Sequence, residues 1–233
     1  MPTVTYQERR GELETYFDRT AVDAWSRLTS DAPVGRIRAT VRAGRNEMRD
    51  TLLEWLPQDL SGMRLLDAGC GTGALAVAAA RRGAHVTAID LSPTLIGLAR
   101  ERSPADLAPG RIDFVAGDML SPRFGDFDYV VAMDSLIHYA ARDIVRVLAD
   151  LAARARAGIL FTVAPRTPAL SVMHTVGRVF PRGDRAPAIE PVGDGTLRRL
   201  IGAEPALDGW RVGRTRRIAR GFYISQAMEF LPQ

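Results

Sequence analysis

Three glycines at alternate positions, Gly69-Cys70-Gly71-Thr72-Gly73, constrain this chain more than any other feature. They follow Leu65-Leu66-Asp67-Ala68, an apolar run that closes on an acid and a small residue, and they precede the alanine-rich stretch Ala74-Leu75-Ala76. The pattern predicts a strand, a tight loop and a helix, because glycine turns without a Cβ penalty and lets a ligand lie against the backbone. The start of the helix then offers unpaired N–H groups to that ligand. This is the arrangement of a loop for a nucleotide-type cofactor. Cys70, inside the loop, reads as a small buried residue rather than a nucleophile.

The glycines alone also satisfy a dinucleotide fingerprint, Gly69-x-Gly71-x-x-Ala74, with Asp90 about 20 residues further on. Three features favour S-adenosylmethionine. Asp67 stands two residues before the first glycine, where methyltransferases place a carboxylate near the amino-acid end of the cofactor. About sixty residues precede the strand, whereas a dinucleotide fold usually opens with it. Gly117-Asp118-Met119 follows the third predicted strand, at the adenine-contacting position. Together these features resemble the class I methyltransferases. The resemblance assigns Asp67, Gly69, Gly71, Gly73, Asp90, Leu91, Asp118, Met119 and Asp134 to the cofactor, with Asp90 placed to accept both ribose hydroxyls.

A length of 233 residues holds one α/β domain with a sizeable core plus an accessory segment. The single cysteine excludes an intrachain disulfide and a cysteine-clustered metal site. His85 and His174 have no acids or cysteines at ligand spacing, so no resident metal is expected. All 31 basic side chains are arginine and the net charge is +4. Guanidinium suits an acidic, planar partner, but arginine-only usage is equally what GC-rich coding produces. The charge is too small and dispersed for a nucleic-acid partner. No apolar run approaches the ~20 residues of a membrane span, and Met1–Glu8 carries no signal-peptide core. The expectation is a cytoplasmic protein, with peripheral membrane attachment left open.

Residues 1–60 read as helices, with Leu13, Tyr16, Phe17, Trp25 and Leu28, then Ile37, Val41, Met48, Leu52, Trp55 and Leu56 at helical spacing. This segment is expected to cap the cofactor end, and Arg42-Ala43-Gly44-Arg45 to bring a guanidinium to the cofactor carboxylate. Residues 61–233 read as the core. Predicted strands at 64–68, 85–90, 112–116, 126–133 and 158–164 alternate with helices at 74–82, 94–102 and 144–155, which implies a doubly wound α/β fold. A helix at 195–201 and strands at 210–218 and 222–230 follow. The expected architecture is a Rossmann-like, seven-stranded, mostly parallel sheet closed by a C-terminal antiparallel hairpin. Residues 165–195, rich in proline and glycine but carrying Val176, Val179, Phe180, Ile189 and Val192, are expected to form a substrate lid.

After the fourth strand stands Met133-Asp134-Ser135-Leu136-Ile137-His138-Tyr139, without the Asn/Asp-Pro-Pro-aromatic motif of amino-methyltransferases. This run resembles the magnesium-protoporphyrin IX O-methyltransferases of (bacterio)chlorophyll biosynthesis. The same resemblance is carried by Tyr16-Phe17-Asp18 with Trp25, by Phe161-Thr162-Val163-Ala164-Pro165-Arg166-Thr167, by Phe180-Pro181-Arg182-Gly183 and by Phe222-Tyr223-Ile224-Ser225. It implies methyl transfer from S-adenosylmethionine to one propionate of magnesium protoporphyrin, with magnesium belonging to the substrate. His138 becomes the candidate catalytic residue. Arg166, Arg182 and Arg185 become candidates for the second propionate, and Tyr139, Phe180 and Tyr223 for stacking on the macrocycle. Thr29 stands where relatives from oxygenic phototrophs carry tyrosine. The resemblance also implies the large subunit of magnesium chelatase as a partner, and a photosynthetic membrane as the place of peripheral attachment. The alternatives are a methyltransferase of the same fold acting on another small acid, phenol or quinone, a non-catalytic cofactor binder, and, remotely, a dehydrogenase.

Overall fold

The computed structural model describes residues 3–20, 35–166 and 189–233. Among these, two helices come before the first strand, α1 (Val4–Thr15) and α2 (Arg36–Trp55), with a π-helical turn at Tyr16–Thr20. The core then runs β1 (Arg64–Ala68), α3 (Ala74–Ala80), β2 (His85–Asp90), α4 (Pro93–Arg102), β3 (Arg111–Ala116) and β4 (Phe127–Ala132). It continues with α5 (Ala141–Ala152), β5 (Ala155–Val163), α6 (Asp194–Gly202), β6 (Trp210–Arg220) and β7 (Tyr223–Pro232).

The sheet order is β3-β2-β1-β4-β5-β7-β6. The first five strands pair in parallel, β7 is antiparallel to β5 and β6 is antiparallel to β7. The sheet is therefore mostly parallel with a closing hairpin, as expected. Strand order reverses between β1 and β4, so their carboxyl ends open a crevice.

Both sheet faces are covered, which is why β1 and β4 read as nearly continuous apolar runs. Leu66, Ala68, Val130 and Ala132 point to the face covered by α1, α5 and α6. Leu65 and Val131 point to the opposite face, with α2, α3 and α4. The alternation follows from the two-residue period of a strand. The two N-terminal helices are thus divided between the two layers: Tyr6 and Leu13 of α1 join one core, Met48 and Leu52 of α2 the other.

Several element bounds differ from those read in the sequence. The fifth strand begins at Ala155, which pairs with Phe127, so α5 stops at Ala152. Strand β6 extends past Ile218 to Arg220 because its outer residues keep pairing with β7 up to Tyr223. The helix α4 starts at Pro93 behind Ser92, whose hydroxyl accepts from the Leu95 N–H, an ordinary serine cap with proline in the first turn. Trp25, Leu28 and Thr29, and the lid residues 167–188 with His174, Phe180, Arg182 and Arg185, lie outside the described residues.

Candidate active site

The glycine loop closes by backbone bonds. The N–H groups of Gly69 and Cys70 both donate to the Ile89 carbonyl, at 2.8 and 2.9 Å, which bends the chain away from β1. Gly69 has φ 85°, and a Cβ there would sit 2.5 Å from the Ser135 Cβ. At Gly73, φ 79°, it would sit 2.8 Å from the Phe114 ring. Glycine is required at both positions by conformation and by space. The Asp90 carboxylate ties β2 to this loop, accepting from the Gly71 N–H at 2.8 Å and from the Ser92 N–H at 3.0 Å. Burial holds its pKa above the usual carboxylate range, against the backbone bonds that lower it.

Two compartments meet over the loop. The inner one is walled by Tyr6, Leu13 and Phe17, by Asp90, Leu91 and Met119, and by Asp134, Ser135, His138 and Tyr139. The outer compartment is walled by Arg42, Arg45, Asn46, Arg49, Asp67 and Thr72. Arg45, Gly69, Gly71 and Met133 border both.

Asp67 is 2% exposed. Burial and then the nearby Asp90 charge raise its pKa to about 7, against a bond from the Ala76 N–H. Its Oδ2 has no protein partner, and neither has the buried Ser135 Oγ. Unsatisfied buried oxygens beside a cleft are expensive, and a ligand ammonium would satisfy Asp67. S-adenosylmethionine fits this donor set: a carboxylate for its ammonium, arginines for its carboxylate, a loop that admits no Cβ, and Asp90 at the end of β2 for ribose hydroxyls.

His138 lies on a short 3₁₀ turn, Leu136–His138, directly after β4. It is 8% exposed and packs edge-on to Phe17, ring centroids 5.9 Å apart. The Glu190 N–H donates to the Ile137 carbonyl, so the segment following residues 167–188 docks on this turn. Tyr139 stacks on Tyr6 with centroids 4.9 Å apart. Burial raises the pKa of both phenols, which stay protonated.

Other candidates take different places. Asp118 does not border either compartment; its carboxylate accepts from the Tyr6 hydroxyl, from Arg10 Nη1 and from the Leu120 N–H, each at 2.9 Å, and so anchors α1. Its neighbour Met119 does line the cleft. Tyr223 is 8% exposed, with its ring against Gly44 of α2 and its hydroxyl on Asp134. Stacking of Tyr223 on a macrocycle is therefore replaced by a packing role, for which the missing side chain of Gly44 leaves the room. Arg166 is exposed, its N–H bonded to the Val192 carbonyl, and it borders neither compartment. No group of three or more His, Cys, Asp or Glu able to hold a metal occurs among the described residues.

Asp134 is the one described non-glycine residue with positive φ, 54°. It accepts from Arg45 Nη1 at 2.7 Å, from the Tyr223 hydroxyl at 3.0 Å and from the Ser225 and Thr162 hydroxyls at 3.3 Å. Its side chain is only 4% exposed. Tyr6 and Arg49 are site residues that the sequence did not single out, and Phe17 and Ser135 stood in the family-like runs without an assigned role. The signals that could have found Tyr6 and Arg49 are the helical spacing of Tyr6 with Leu13 and of Arg49 with Arg42 and Arg45.

A parallel sheet with this strand order, a glycine loop after β1, an acid at the end of β2 and a paired C-terminal hairpin define a class I S-adenosylmethionine-dependent methyltransferase. Residues 65–158 match a general methyltransferase domain, and residues 132–232 match the magnesium-protoporphyrin IX methyltransferase C-terminus. A magnesium-protoporphyrin O-methyltransferase of Rhodobacter capsulatus is 49% identical over 97% of this chain and 98% of its own length. By these matches the chain belongs to the magnesium-protoporphyrin O-methyltransferase family. The crystal structure of magnesium protoporphyrin IX methyltransferase from Synechocystis PCC 6803 with bound SAH superposes with a TM-score of 0.83 at 28% identity, covering 96% of this chain and all of that one. A ubiquinone biosynthesis O-methyltransferase of Methylocella silvestris is 38% identical, but over only 52% of this chain.

Proposed function

We propose that this chain methylates a propionate carboxylate of magnesium protoporphyrin IX, giving the monomethyl ester, in bacteriochlorophyll biosynthesis. The observation that carries the reading is the position of His138: buried on the turn after β4, in the wall of an aromatic compartment that shares the glycine loop with the outer, arginine-lined one. The family match covers both the loop and the C-terminal half, whereas the ubiquinone biosynthesis O-methyltransferase matches about half the chain. That difference favours porphyrin over a quinone.

When bound, S-adenosylmethionine supplies a methyl carbon on a sulfonium, so that a carboxylate oxygen gains the methyl and the electron pair of the broken C–S bond returns to sulfur. The protein's own groups do the rest. Asp67 meets the ammonium once ionised, Arg49 in the wall of the same compartment takes the carboxylate, and Asp90 takes ribose hydroxyls. A propionate is ionised near neutral pH, so no strong base is required and positioning in a water-poor cleft dominates. His138 orients the carboxylate and accepts a residual proton, roles open to a neutral imidazole. Tyr6, Phe17 and Tyr139 present apolar rings to the acceptor side.

Delivery of so apolar a substrate is best direct. The large subunit of magnesium chelatase is the proposed donor, and a membrane surface the proposed setting. No described helix is long and apolar enough to cross a membrane. Ile37 and Phe222 are exposed, and Gly221 packs against Thr40, so the two lie near each other beside Arg36, Arg38 and Arg220. This patch supports contact with an anionic bilayer, and flotation with phosphatidylglycerol vesicles tests it.

The central test offers labelled S-adenosylmethionine with magnesium protoporphyrin, metal-free protoporphyrin and a simple carboxylic acid. Esterification of the magnesium form is expected. His138→Ala should lower kcat by about 100-fold or more while cofactor affinity stays within about twofold of wild type. Label in a quinone or phenol alone would move the protein to the second reading. Unfolding of His138→Ala would make the histidine structural.

A further inference from the structure

Methyl transfer to a carboxylate removes a negative charge from the site. A lone arginine that docked the acid would face the neutral ester afterwards as a buried, uncompensated cation, an arrangement that is costly in a low-dielectric cleft. A site for this reaction is better served by a cation whose charge is already met within the protein.

Arg45 has that property. It lies on α2, one turn from Arg42 and Arg49, yet of the three only Arg45 borders both compartments. Its Nη1 is 2.7 Å from Asp134 Oδ2, with side-chain exposures of 20% and 4%. Asp134 is held from several sides. Three hydroxyls, from Thr162, Ser225 and Tyr223, also donate to it, and its own N–H donates to Thr162 Oγ1 at 2.8 Å. Its left-handed backbone, φ 54°, costs conformational energy that these bonds repay. Next to it stands Ser135, whose buried Oγ has no partner and which lines the inner compartment against Gly69.

We propose that Arg45 and the Ser135 hydroxyl form the docking point for the reacting carboxylate, and that Asp134 is a positioning residue that holds Arg45 in place and supplies its standing counter-charge. Arg49, which borders only the outer compartment, is left to the cofactor carboxylate. The site is then neutral before the acid arrives and neutral after the ester leaves. The inference rests on the carboxyl-methylating reading above, and it revises two expectations: Arg45 serves the acceptor rather than the cofactor, and Asp134 touches the arginine rather than the cofactor.

Equilibrium binding without turnover tests it. Magnesium protoporphyrin and its neutral dimethyl ester are titrated into the full-length protein and followed by the Soret band, while SAH binding is followed by calorimetry. Arg45→Met should weaken the diacid about tenfold or more, Ser135→Ala about threefold, and neither should change the ester or SAH by more than about twofold. Asp134→Asn keeps a side chain that tolerates positive φ and removes the counter-charge. It should tighten the diacid relative to the ester, and in the assay lower KM and kcat together. Loss of SAH binding in Arg45→Met with diacid binding intact would return Arg45 to the cofactor and overturn the inference. Equal effects of Asp134→Asn on diacid and ester would reduce Asp134 to a structural residue and do the same. If wild-type protein binds neither porphyrin, the carboxyl-methylating reading itself fails; if it binds both and Arg45→Met does not discriminate, only the docking point fails.

Discussion

Asp67 shows how much a single buried carboxyl governs. Its pKa of about 7 arises because burial, and then Asp90, penalise the anion more than the Ala76 N–H supports it. A carboxyl whose folded pKa is raised stabilises the fold most below its unfolded pKa, near 4, and loses that contribution as pH rises through about 7. Protein free of ligand should therefore be more stable at pH 6 than at pH 8 by this group, whereas affinity for an ammonium-bearing ligand should run the other way, rising with pH to about 7. Calorimetric titration of S-adenosylmethionine from pH 5.5 to 8.5 would check this, with proton release on binding at the low end. Asp67→Asn should flatten both profiles, and an unchanged pH dependence in that variant would show that another group titrates. The presence of an acid before the glycines was legible in the sequence, because its spacing from the loop is diagnostic. Its pKa was not, because that depends first on burial in the folded cleft and then on Asp90 arriving from the next strand. Asp118 illustrates the opposite failure: the position was readable, but the Tyr6 and Arg10 side chains that occupy its carboxylate come from a helix 108–112 residues away.

At the scale of elements, the alternation of strands and helices was readable because each apolar run carries its own period, and the helix or strand it forms needs no distant partner to be recognised. The hairpin was harder. Strand β6 reads Trp210-Arg211-Val212-Gly213-Arg214-Thr215-Arg216-Arg217-Ile218-Ala219-Arg220, a basic stretch with few residues to bury. It holds the sheet edge because its arginines reach acids on neighbouring elements: Arg220 to Glu47 and Arg216 to Glu54 on α2, and Arg214 to Glu229 on β7. Charges of this kind also guard an edge against pairing with another chain. Only the last pair has a well-buried member, Glu229 at 7% side-chain exposure. Burial pushes the Glu229 carboxyl up, but the hydrogen bonds and charge of Arg214 more than offset this, and the net pKa is lowered. Arg214 also donates to the Trp55 carbonyl and lies over the Trp55 ring, so it clamps the end of α2 to the hairpin. Arg214→Ala should cost on the order of 2 kcal/mol, measured by urea unfolding at neutral pH, because it leaves the Glu229 carboxylate buried without its counter-charge, with the residue-214 backbone N–H as its remaining partner from that position. The penalty should shrink as pH falls through the lowered Glu229 pKa, where the wild-type pair itself is lost. A loss under about 0.5 kcal/mol, the range of an ordinary exposed pair, would mean that β-sheet pairing alone holds the edge.

For the molecule as a whole, the cleft is built from parts that no single stretch of sequence contains. The floor comes from the 65–158 region shared with methyltransferases in general, but one wall is α1 with Tyr6, Leu13 and Phe17, and the other is α2 with Arg42, Arg45 and Arg49. These helices belong to opposite layers of the sandwich. The sequence predicts this segment over the cofactor end, but it could not assign the two helices to opposite faces, because the apolar spacing of a helix states that it packs and not on which face of the sheet. The arrangement has a thermodynamic consequence. A ligand that touches loop and both walls is linked to the stability of all three, and at a concentration of 100 times Kd it stabilises the folded state by about 2.7 kcal/mol. Saturating SAH should therefore raise Tm, and hydrogen exchange should show slowed amides in the glycine loop together with Val4–Thr15 and the middle of Arg36–Trp55. The α1 amides should respond most, because polar tethers do much to hold that helix: Tyr6 and Arg10 to Asp118, and Thr3 and Thr5 to Asp143. Arg10→Ala removes one tether without entering the cleft, so it should speed exchange in α1 of the free protein and leave the SAH-bound protection of the loop in place. If SAH slows only the loop amides and leaves both helices untouched, α1 and α2 frame the cleft without closing on the cofactor, and the walls serve the acceptor alone.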